Sequence, residues 1–171
     1  MNRNQSIYLP IILSLFVLSC KEDDPQPLQS EVKAVLLAGE RGKSKSWKLT
    51  SGTVKDGYEP RYDLAFYSCF LDNIYTFKNN DAQDYDVTEG ATICDSNDPA
   101  NIVESGTWTF TTDGKMIIIL PNNLTGSFNV LFAALPFPAT VVELTETSLI
   151  IRMDIIDGGV DVVYNLTFVK S

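Results

Sequence analysis

From residue 45 onward, apolar side chains recur at every second position, which is the period of a β-strand with one buried face. In the clearest run, Trp108 and Phe110 are separated by Thr109, and the turn pair Asp113-Gly114 precedes the next apolar run. The pattern predicts an all-β domain of about eight strands, joined mostly by turns in up-and-down order. Such a meander either stacks as a two-sheet sandwich or closes into an antiparallel barrel without free edges, and the alternation allows both.

Two longer segments interrupt the alternation. Residues 56–70 contain Gly57 and Pro60 and are predicted to form a long loop that ends near Cys69. Residues 133–138 are apolar and rich in proline, and they follow a predicted strand over 128–132. We expect this second segment to be a lid or plug of the domain, with a partner contact as the alternative.

One short stretch, residues 30–37, has the pattern of a helix. Ser30 is a candidate N-cap, Glu31 suits the first turn, and Gly39 is expected to end the helix. The residues expected to share its apolar face are Val32, Val35 and Leu36. Because two turns are not stable in isolation, the helix is expected to cover or plug the strands.

The N-terminus carries an export pattern. Arg3 precedes an apolar run from Ile7 to Leu18, which is too short to span a bilayer. The run ends in Val17-Leu18-Ser19-Cys20, which resembles the lipobox of bacterial lipoproteins. That resemblance implies a signal peptide over 1–19, cleavage before Cys20 and lipidation of its thiol. The alternatives are an ordinary signal peptide with a chance cysteine and a degenerate membrane helix.

Residues 20–29 are predicted to form a flexible tether. The stretch Lys21-Glu22-Asp23-Asp24-Pro25-Gln26-Pro27 is polar and acidic, so it has no apolar surface to bury. It resembles the acidic signal that directs Bacteroidetes lipoproteins to the cell surface, and a plain hydrophilic linker is the alternative. The resemblance implies a protein held by its lipid in the outer membrane of the cell envelope.

Composition excludes several functional classes. The chain has 13 basic and 22 acidic residues, and its net charge of −9 argues against binding the phosphate backbone of nucleic acids. It contains no histidine, which excludes Ser-His-Asp catalysis and His-ligated metals. Residues 56–104 hold eleven acidic and two basic residues. No Asp-x-Asp-x-Asp-Gly loop occurs there, so we interpret these acids as solvated loops and expect no metal site.

Two cysteines remain beside Cys20. Cys69 and Cys94 are a single pair in a chain expected to be exported, and we predict that they form a structural disulfide. On the chain-entropy model, the bridge would stabilise the fold by roughly 3–4 kcal/mol. A buried pair of free thiols is the alternative.

The order of these parts resembles the small lipocalin-like domains of Bacteroidetes lipoproteins. The segments that carry the resemblance are Lys45–Leu49, Cys69–Phe77, Gly106–Phe110, Val142–Thr145 and Tyr164–Phe168. It covers residues 30–171 and implies an eight-stranded barrel with a cavity at one end. The chain departs from prototypical lipocalins because Ser44-Lys45-Ser46-Trp47 stands where they have Gly-x-Trp.

The strand periodicity also predicts which residues face the interior. The candidate ligand-lining residues are Trp47, Tyr75, Phe77, Trp108, Phe110, Tyr164 and Phe168, and Ile118, Leu144 and Leu149 are also expected to point inward. These residues form either the lining of a cavity or a plain core.

Carboxylate catalysis lacks support in this pattern. Glu104 and Glu143 are expected to point outward, so no inward pair of carboxylates suited to glycoside hydrolysis is predicted. We therefore expect a monomeric non-enzyme without a cofactor. One hypothesis is a lipid-anchored carrier of a small apolar or amphipathic ligand. The other is a filled barrel that contacts protein or glycan through its loops.

Overall fold

The structure, a computed structural model, describes residues 26–55, 62–63, 69–93, 102–124 and 137–171. Within these ranges the chain forms one helix and nine strands. The elements are α1 (Gln29–Ala38), β1 (Ser44–Lys55), β2 (Tyr62–Asp63), β3 (Ile74–Lys78), β4 (Asp84–Thr88), β5 (Glu104–Phe110), β6 (Met116–Leu124), β7 (Phe137–Leu144), β8 (Ser148–Asp157) and β9 (Val160–Lys170). The predicted signal peptide, Cys20, Cys94 and the predicted strand over 128–132 lie outside the described residues.

The sheet closes on itself through its first and last strands. Consecutive strands from β3 to β9 pair antiparallel, and β1 pairs with β3 along one edge and with β9 along the other. The two-residue β2 extends the β3 side of β1. The eight long strands therefore form an antiparallel up-and-down barrel with a single short helix, as predicted, and the sandwich alternative is wrong.

A bulge in β1 changes which of its positions face the interior. Its register to β9 shifts between Leu49 and Ser51, which leaves Thr50 as the extra residue. Before the bulge Trp47 and Leu49 are buried, and after it Val54 is buried instead. The inward positions thus change from odd to even numbers, a change that simple alternation does not predict.

The longest hairpin has a turn that suits its sequence. Asp157 pairs with Val160, so β8 and β9 are joined by the two residues Gly158 and Gly159. Their φ angles of 57° and 86° are in the left-handed region, where glycine has no steric penalty. This tight turn holds ten register pairs together, and β8 and β9 form one continuous wall of the barrel.

Helix α1 covers one end of the barrel. The indole Nε1 of Trp47 donates to the carbonyl of Leu37 at 2.7 Å, and the Asn79 amide donates to the carbonyl of Gly39 at 2.7 Å. The predicted covering role is confirmed, although details differ. The N-cap is Leu28 and not Ser30, and the backbone N–H of Leu28 donates to the Glu31 carboxylate.

The buried face of α1 also differs from the prediction. Val32 is 39% exposed, whereas the buried residues of the helix are Ala34, Leu37 and Ala38. The small alanines allow the helix to approach the strand ends closely, and this packing outweighs the larger side chain of valine. In the described part of the chain, no helix has the length and apolar character needed to cross a bilayer.

Three further expectations require correction. Ile118 does not face the interior: Ile117 and Ile119 are 1% exposed and Ile118 lies on the outer surface of β6, half-buried. The predicted loop 133–138 ends inside β7, which already begins at Phe137. The predicted loop 56–70 contains β2 and a 3-10 turn at residues 69–70.

The strand directions define two ends of the barrel. The helix end contains α1, the β3–β4 turn and the turns β5–β6 and β7–β8. The loop end contains the connections that leave β1, β4 and β6, together with the β8–β9 turn.

Candidate functional site

The predicted lining residues form a packed aromatic floor in the helix-end half of the barrel. Trp47, Tyr75, Phe77, Trp108 and Phe168 are each at most 2% exposed. Because a water-sized void beside these rings would count as exposed surface, such values leave no space for a ligand among them. The floor is therefore core, and any ligand inside the barrel has to lie nearer the loop end.

Ring geometry supports tight packing of this floor. Tyr75 and Phe168 meet edge to face with centroids 5.2 Å apart, and Phe77 and Trp108 meet at 90° with centroids 6.0 Å apart. The Trp108 indole N–H donates to the carbonyl of Asp84 at 3.2 Å. Each tryptophan N–H thus has a structural partner, because Trp47 donates to the helix.

Two predicted lining residues lie at the edge of the floor. Phe110 is 8% exposed and borders a surface groove beside α1. Tyr164 is half-buried, like Ile155 on the neighbouring strand β8, and both pack against the core towards the loop end. Of the seven predicted lining residues, Tyr164 is therefore the best placed to meet a ligand that enters from the loop end.

Glu104 lies inside the barrel, contrary to the prediction. It is the first residue of β5, where the inward positions are Glu104, Gly106, Trp108 and Phe110, and it is 1% exposed. The Tyr85 hydroxyl donates a hydrogen bond to Glu104 Oε1. Glu143 is exposed, as expected.

The sequence contained the signal for the inward position of Glu104. Counting back in twos from Trp108 places residue 104 on the same face, but its charge suggested a solvated position. A buried carboxyl is tolerated when it keeps hydrogen bonds or becomes neutral. Here the strand register and the tyrosine partner outweigh the usual preference of glutamate for water.

Gly106 makes room for the tyrosine that binds Glu104. It pairs with Tyr85 across β4 and β5. A Cβ at residue 106 would lie 2.8 Å from Tyr85 Cε1 and 2.2 Å from the Leu120 carbonyl oxygen, which is too close for either contact. Only glycine therefore lets the Tyr85 ring lie across β5 and reach the Glu104 carboxyl.

Burial changes the pKa of the Glu104 carboxyl. Desolvation raises the pKa of Glu104 to about 7, against a smaller lowering by the Tyr85 hydrogen bond. The pKa of Tyr85 and that of Tyr75 are raised well above their usual value by burial and by the nearby glutamate. Both tyrosines therefore stay neutral, and the proton of Glu104 is exchangeable near neutral pH.

Buried polar atoms near the loop end lack protein partners. Glu104 Oε2 has no hydrogen-bond partner among the described residues, and neither side-chain amide atom of Asn73 has one. Asn73 is 0% exposed and precedes β3 in register with Tyr75 and Phe77. Each such orphaned group costs about 1–3 kcal/mol in an ordinary core. Asp72 Oδ1 is a further buried side-chain atom without a partner among the described residues.

Sequence reasoning missed Asn73, Tyr85 and Glu104 as site residues. For two of them the signal was present: Asn73 lies two positions from Tyr75 and Glu104 four positions from Trp108, both predicted inward aromatic residues. Asn73 was not considered as a site residue and Glu104 was expected to point outward, although polar residues that are buried are informative because they are rare. The useful sequence signal is thus a polar residue that lies an even number of positions from a buried residue of the same strand.

The described surface has two main grooves. One, of about 610 Å³, lies between α1 and the β3–β4 turn and includes Glu31, Arg41 and Asp81. The other, of about 590 Å³, lies near the β8–β9 hairpin and includes Lys55, Arg152 and Asp161. Both are lined by a mixture of charged and apolar residues, with Ala34 and Phe110 in the first and Ile155 and Val162 in the second.

The structure describes one cysteine of the predicted disulfide, and its described residues can be searched for metal ligands. Among the described residues, no group of three or more acidic or cysteine side chains is arranged to hold a metal ion. Cys69 packs against the core in the turn before β3. Because Cys94 lies outside the described residues, the pairing of Cys69 with Cys94 stays a prediction.

Comparison with known proteins agrees with this architecture. A family model described as a lipocalin-like domain matches residues 44–151. The match runs from the first residue of β1 into β8, so it includes Asn73, Tyr85 and Glu104. No curated protein matches the chain.

Proposed function

Because the chain belongs to the lipocalin-like domain family, we propose that it is a lipid-anchored protein of the cell envelope that binds a small apolar or amphipathic ligand in its barrel. A barrel of eight strands is wide enough for its own side chains or for one small ligand. We propose further that it acts as a monomer without catalysis or a cofactor.

The observation that carries the proposal is the polarity of the barrel interior at the loop end. A core that serves only stability has no need for a buried carboxyl and a buried asparagine with unpartnered atoms. An amphipathic ligand that lies above the aromatic floor would bury its apolar part against Tyr164 and Ile155. Glu104 and Asn73 are buried, so their side chains would have to move before the polar part of such a ligand could reach them.

Anchoring at Cys20 would orient the barrel. The first turn of α1 lies at the helix end, where the Ser30 N–H donates to the Thr112 carbonyl at 3.4 Å. The nine residues 20–28 span at most about 30 Å. A lipid on Cys20 would thus keep the helix end near the membrane and turn the loop end, with its polar interior, away from it.

The anchor is tested by labelling with radioactive palmitate in the native organism. We expect label in the wild-type protein and none in Cys20→Ala, with both proteins detected in equal amounts by antibody. Label that persists in Cys20→Ala would contradict modification at this residue.

The ligand is tested by native mass spectrometry on protein purified from its own organism. We expect an added small mass that disappears on denaturation. A clean protein mass that is also unchanged after incubation with fatty acids and haem would contradict the carrier proposal for those ligands.

A second candidate is an interaction module whose barrel is filled. The packed floor and the charged groove of about 610 Å³ beside α1 favour this candidate. Cross-linking from Arg41 in living cells would distinguish the two. A protein partner captured there, together with a clean native mass, would favour the module over the carrier.

A further inference from the structure

We propose that the segment Val103–Ser105, the β5 start, is a pH-sensitive switch that detaches from β4 when the Glu104 carboxyl ionises. The inference does not rest on the proposed ligand binding, because it concerns only how β5 is held between its neighbouring strands. Such a switch requires a charge that the closed barrel does not stabilise, a segment that is held weakly enough to move, and a neutral state that keeps it closed.

The closed barrel offers little to stabilise a negative charge on Glu104. The residue is 1% exposed, so water does not solvate its carboxyl. Its Oε1 atom accepts from the neutral Tyr85 hydroxyl, and its Oε2 atom has no hydrogen-bond partner among the described residues. A carboxylate that exchanges water for one neutral hydrogen bond is less stable than the same group in solvent.

No cation on the neighbouring strands compensates this charge. The titratable groups that face Glu104 in the described part are Tyr75 on β3 and Tyr85 on β4, and burial raises the pKa of both, so they stay neutral. Strand β6 contains no charged residue. The other charged residues on or beside β3 and β4 are the outward Lys78, Asp84 and Asp86 and the adjoining acids Asp72 and Glu89. Ionised Glu104 is therefore stabilised only by contact with water.

The β5 start lies where the pairing with β4 ends. The register comprises four pairs, and Val87 with Glu104 is the last of them towards the loop end. The backbone N–H of Val103 donates to the Val87 carbonyl at 2.9 Å. At the other end of the ladder, the backbone N–H of Trp108 donates to the Gln83 carbonyl at 2.8 Å. The ladder can therefore open from Glu104 while the Trp108 end stays paired.

A bulge weakens the attachment of the β5 start to β6. Ser105 pairs with Asn123 and Gly106 pairs with Pro121, which leaves Asn122 as the extra residue. Pro121 has no backbone N–H, so it donates no hydrogen bond to β5. Two of the seven register pairs between β5 and β6 lie beyond this bulge. The β5 start can therefore bend away from β4 at the bulge without disturbing the five pairs on the other side of it.

Apolar burial keeps the segment closed while Glu104 is neutral. Val103 is fully buried, whereas the preceding Ile102 is 43% exposed. Detachment would bring Val103 into water, which is unfavourable. A neutral Glu104 carboxyl gains little from solvation to offset this cost. After ionisation, the same movement brings a carboxylate into water, and the balance shifts towards the detached state.

The pH range of the switch follows from proton linkage. Desolvation raises the pKa of Glu104 to about 7 in the closed barrel, whereas the solvated group has its ordinary value of 4.5. The detached state therefore binds the proton less tightly, so its population rises with pH between these two values and levels off above pH 7. From pH 5.5 to pH 7.5, the equilibrium constant for opening should increase about twentyfold.

Amide hydrogen exchange of the full chain, purified in detergent and read by mass spectrometry at single residues, tests the proposal. The Val103 amide reports on the β5 start, and the amide of Leu166, which pairs with Gly52 and Ile151, reports on global unfolding. After correction for intrinsic exchange, Val103 protection should fall about twentyfold from pH 5.5 to pH 7.5. At pH 7.5 it should be lower than that of Leu166 and insensitive to about 1 M urea, because detachment exposes little surface.

The key variant is Glu104→Gln, which keeps the shape of the side chain and removes its charge. We expect its Val103 protection to differ by less than about twofold between the two pH values. Glu143→Gln is the matched control, because it removes an exposed carboxylate and should behave like the wild type. A twentyfold fall that persists in Glu104→Gln would show that another group titrates, and it would overturn the proposal.

Tyr85→Phe keeps the proposal testable if Glu104→Gln does not fold. It removes a hydrogen bond that lowers the pKa of Glu104, so Val103 protection should level off at a higher pH than in the wild type. An unchanged profile would contradict control by Glu104. Val103 protection that is independent of pH in the wild type would overturn the switch. Equal protection of Val103 and Leu166, both lowered by urea, would show that the barrel opens only as a whole and would overturn it as well.

Discussion

The two sides of the barrel interior differ in chemistry although they belong to one closed sheet. The apolar wall, formed by β6–β9, presents mainly aliphatic side chains, among them Ile119, Ile151 and Leu166. The mixed wall, formed by β3–β5 and the preceding Asn73, presents Tyr75, Tyr85 and Glu104 between its aromatic rings. The apolar wall therefore contains only groups that gain from burial, whereas the mixed wall also contains polar groups whose burial costs stability.

The strands of the apolar wall are also longer than those of the mixed wall. β8 and β9 are ten and eleven residues long and pair along their whole length, whereas β3 and β4 have five residues each. Longer strands bring more hydrogen bonds and more packed side chains, so the apolar wall provides a rigid frame. Polar groups are better tolerated on the short strands, because their ends lie close to solvent.

The largest effect is expected from a truncation in the apolar wall. Leu166 is 0% exposed and pairs with Ile151, so Leu166→Ala should lower the free energy of unfolding by about 2–5 kcal/mol. The loss should be the same at pH 5 and pH 8, because no titratable group is removed. Urea unfolding followed by tryptophan fluorescence measures it.

Ile156→Ala is the matched control in the same wall, since Ile156 is 77% exposed and should cost no more than about 0.5 kcal/mol. Equal losses in the two variants would mean that burial in the apolar wall does not determine its stability.

The next effect is a pH dependence from the mixed wall. The pKa of Glu104 is raised from 4.5 to about 7, so the folded state binds this proton more tightly than the unfolded state. The contribution is fully present below pH 4.5 and is lost as the pH rises through 7. It amounts to about 3 kcal/mol, and Glu104→Gln should remove it. We expect the variant to gain stability relative to the wild type between pH 4.5 and pH 8, measured by urea unfolding.

Glu143→Gln is again the control, and its pH profile should run parallel to that of the wild type. If Glu104→Gln also ran parallel, the carboxyl would be solvated and the contrast between the two walls would be lost.

The smallest effect is expected from the hydroxyl of Tyr85. Tyr85→Phe removes a hydrogen bond that favours the ionised form of Glu104, so the pKa of Glu104 should rise further. At pH 8 the free energy of unfolding should fall by about 2 kcal/mol, and at pH 5 by less. Urea unfolding at the two pH values checks the difference.

A double-mutant cycle shows whether this loss depends on the charge of Glu104. In the Glu104→Gln background, Tyr85→Phe should cost less and should lose its pH dependence. The same cost in both backgrounds would indicate that the Tyr85 hydroxyl acts on something other than the carboxylate.

Much of the fold follows from local pattern. Period-two alternation predicted the inward aromatic positions of β3, β5 and β9, because each strand has one face in water and one in the core. It was wrong at Ile118, since three consecutive isoleucines suit either phase and only pairing with Thr109 and Pro138 selects one. It also missed the bulge at Thr50, which depends on the register to β9.

The site was harder to predict than the fold. The aromatic residues were placed correctly in the interior, but their mutual packing fills the space in which a ligand was expected. Glu104 was predicted to point outward, although its even spacing from Trp108 places it on the inward face. The partner that makes its burial tolerable, Tyr85, lies 19 residues away in the chain and comes near only when β4 pairs with β5.

The sequence by itself determined the all-β class, the short covering helix and most of the inward positions, because these depend on side chains close together in the chain. Only the tertiary structure decided that the sheet closes, since closure requires β1 to pair with β9 more than a hundred residues later. It alone also placed Glu104 beside Tyr85 and left Oε2 without a partner. The balance between desolvation and pairing depends on contacts between distant strands, and it raises the pKa of this carboxyl to about 7.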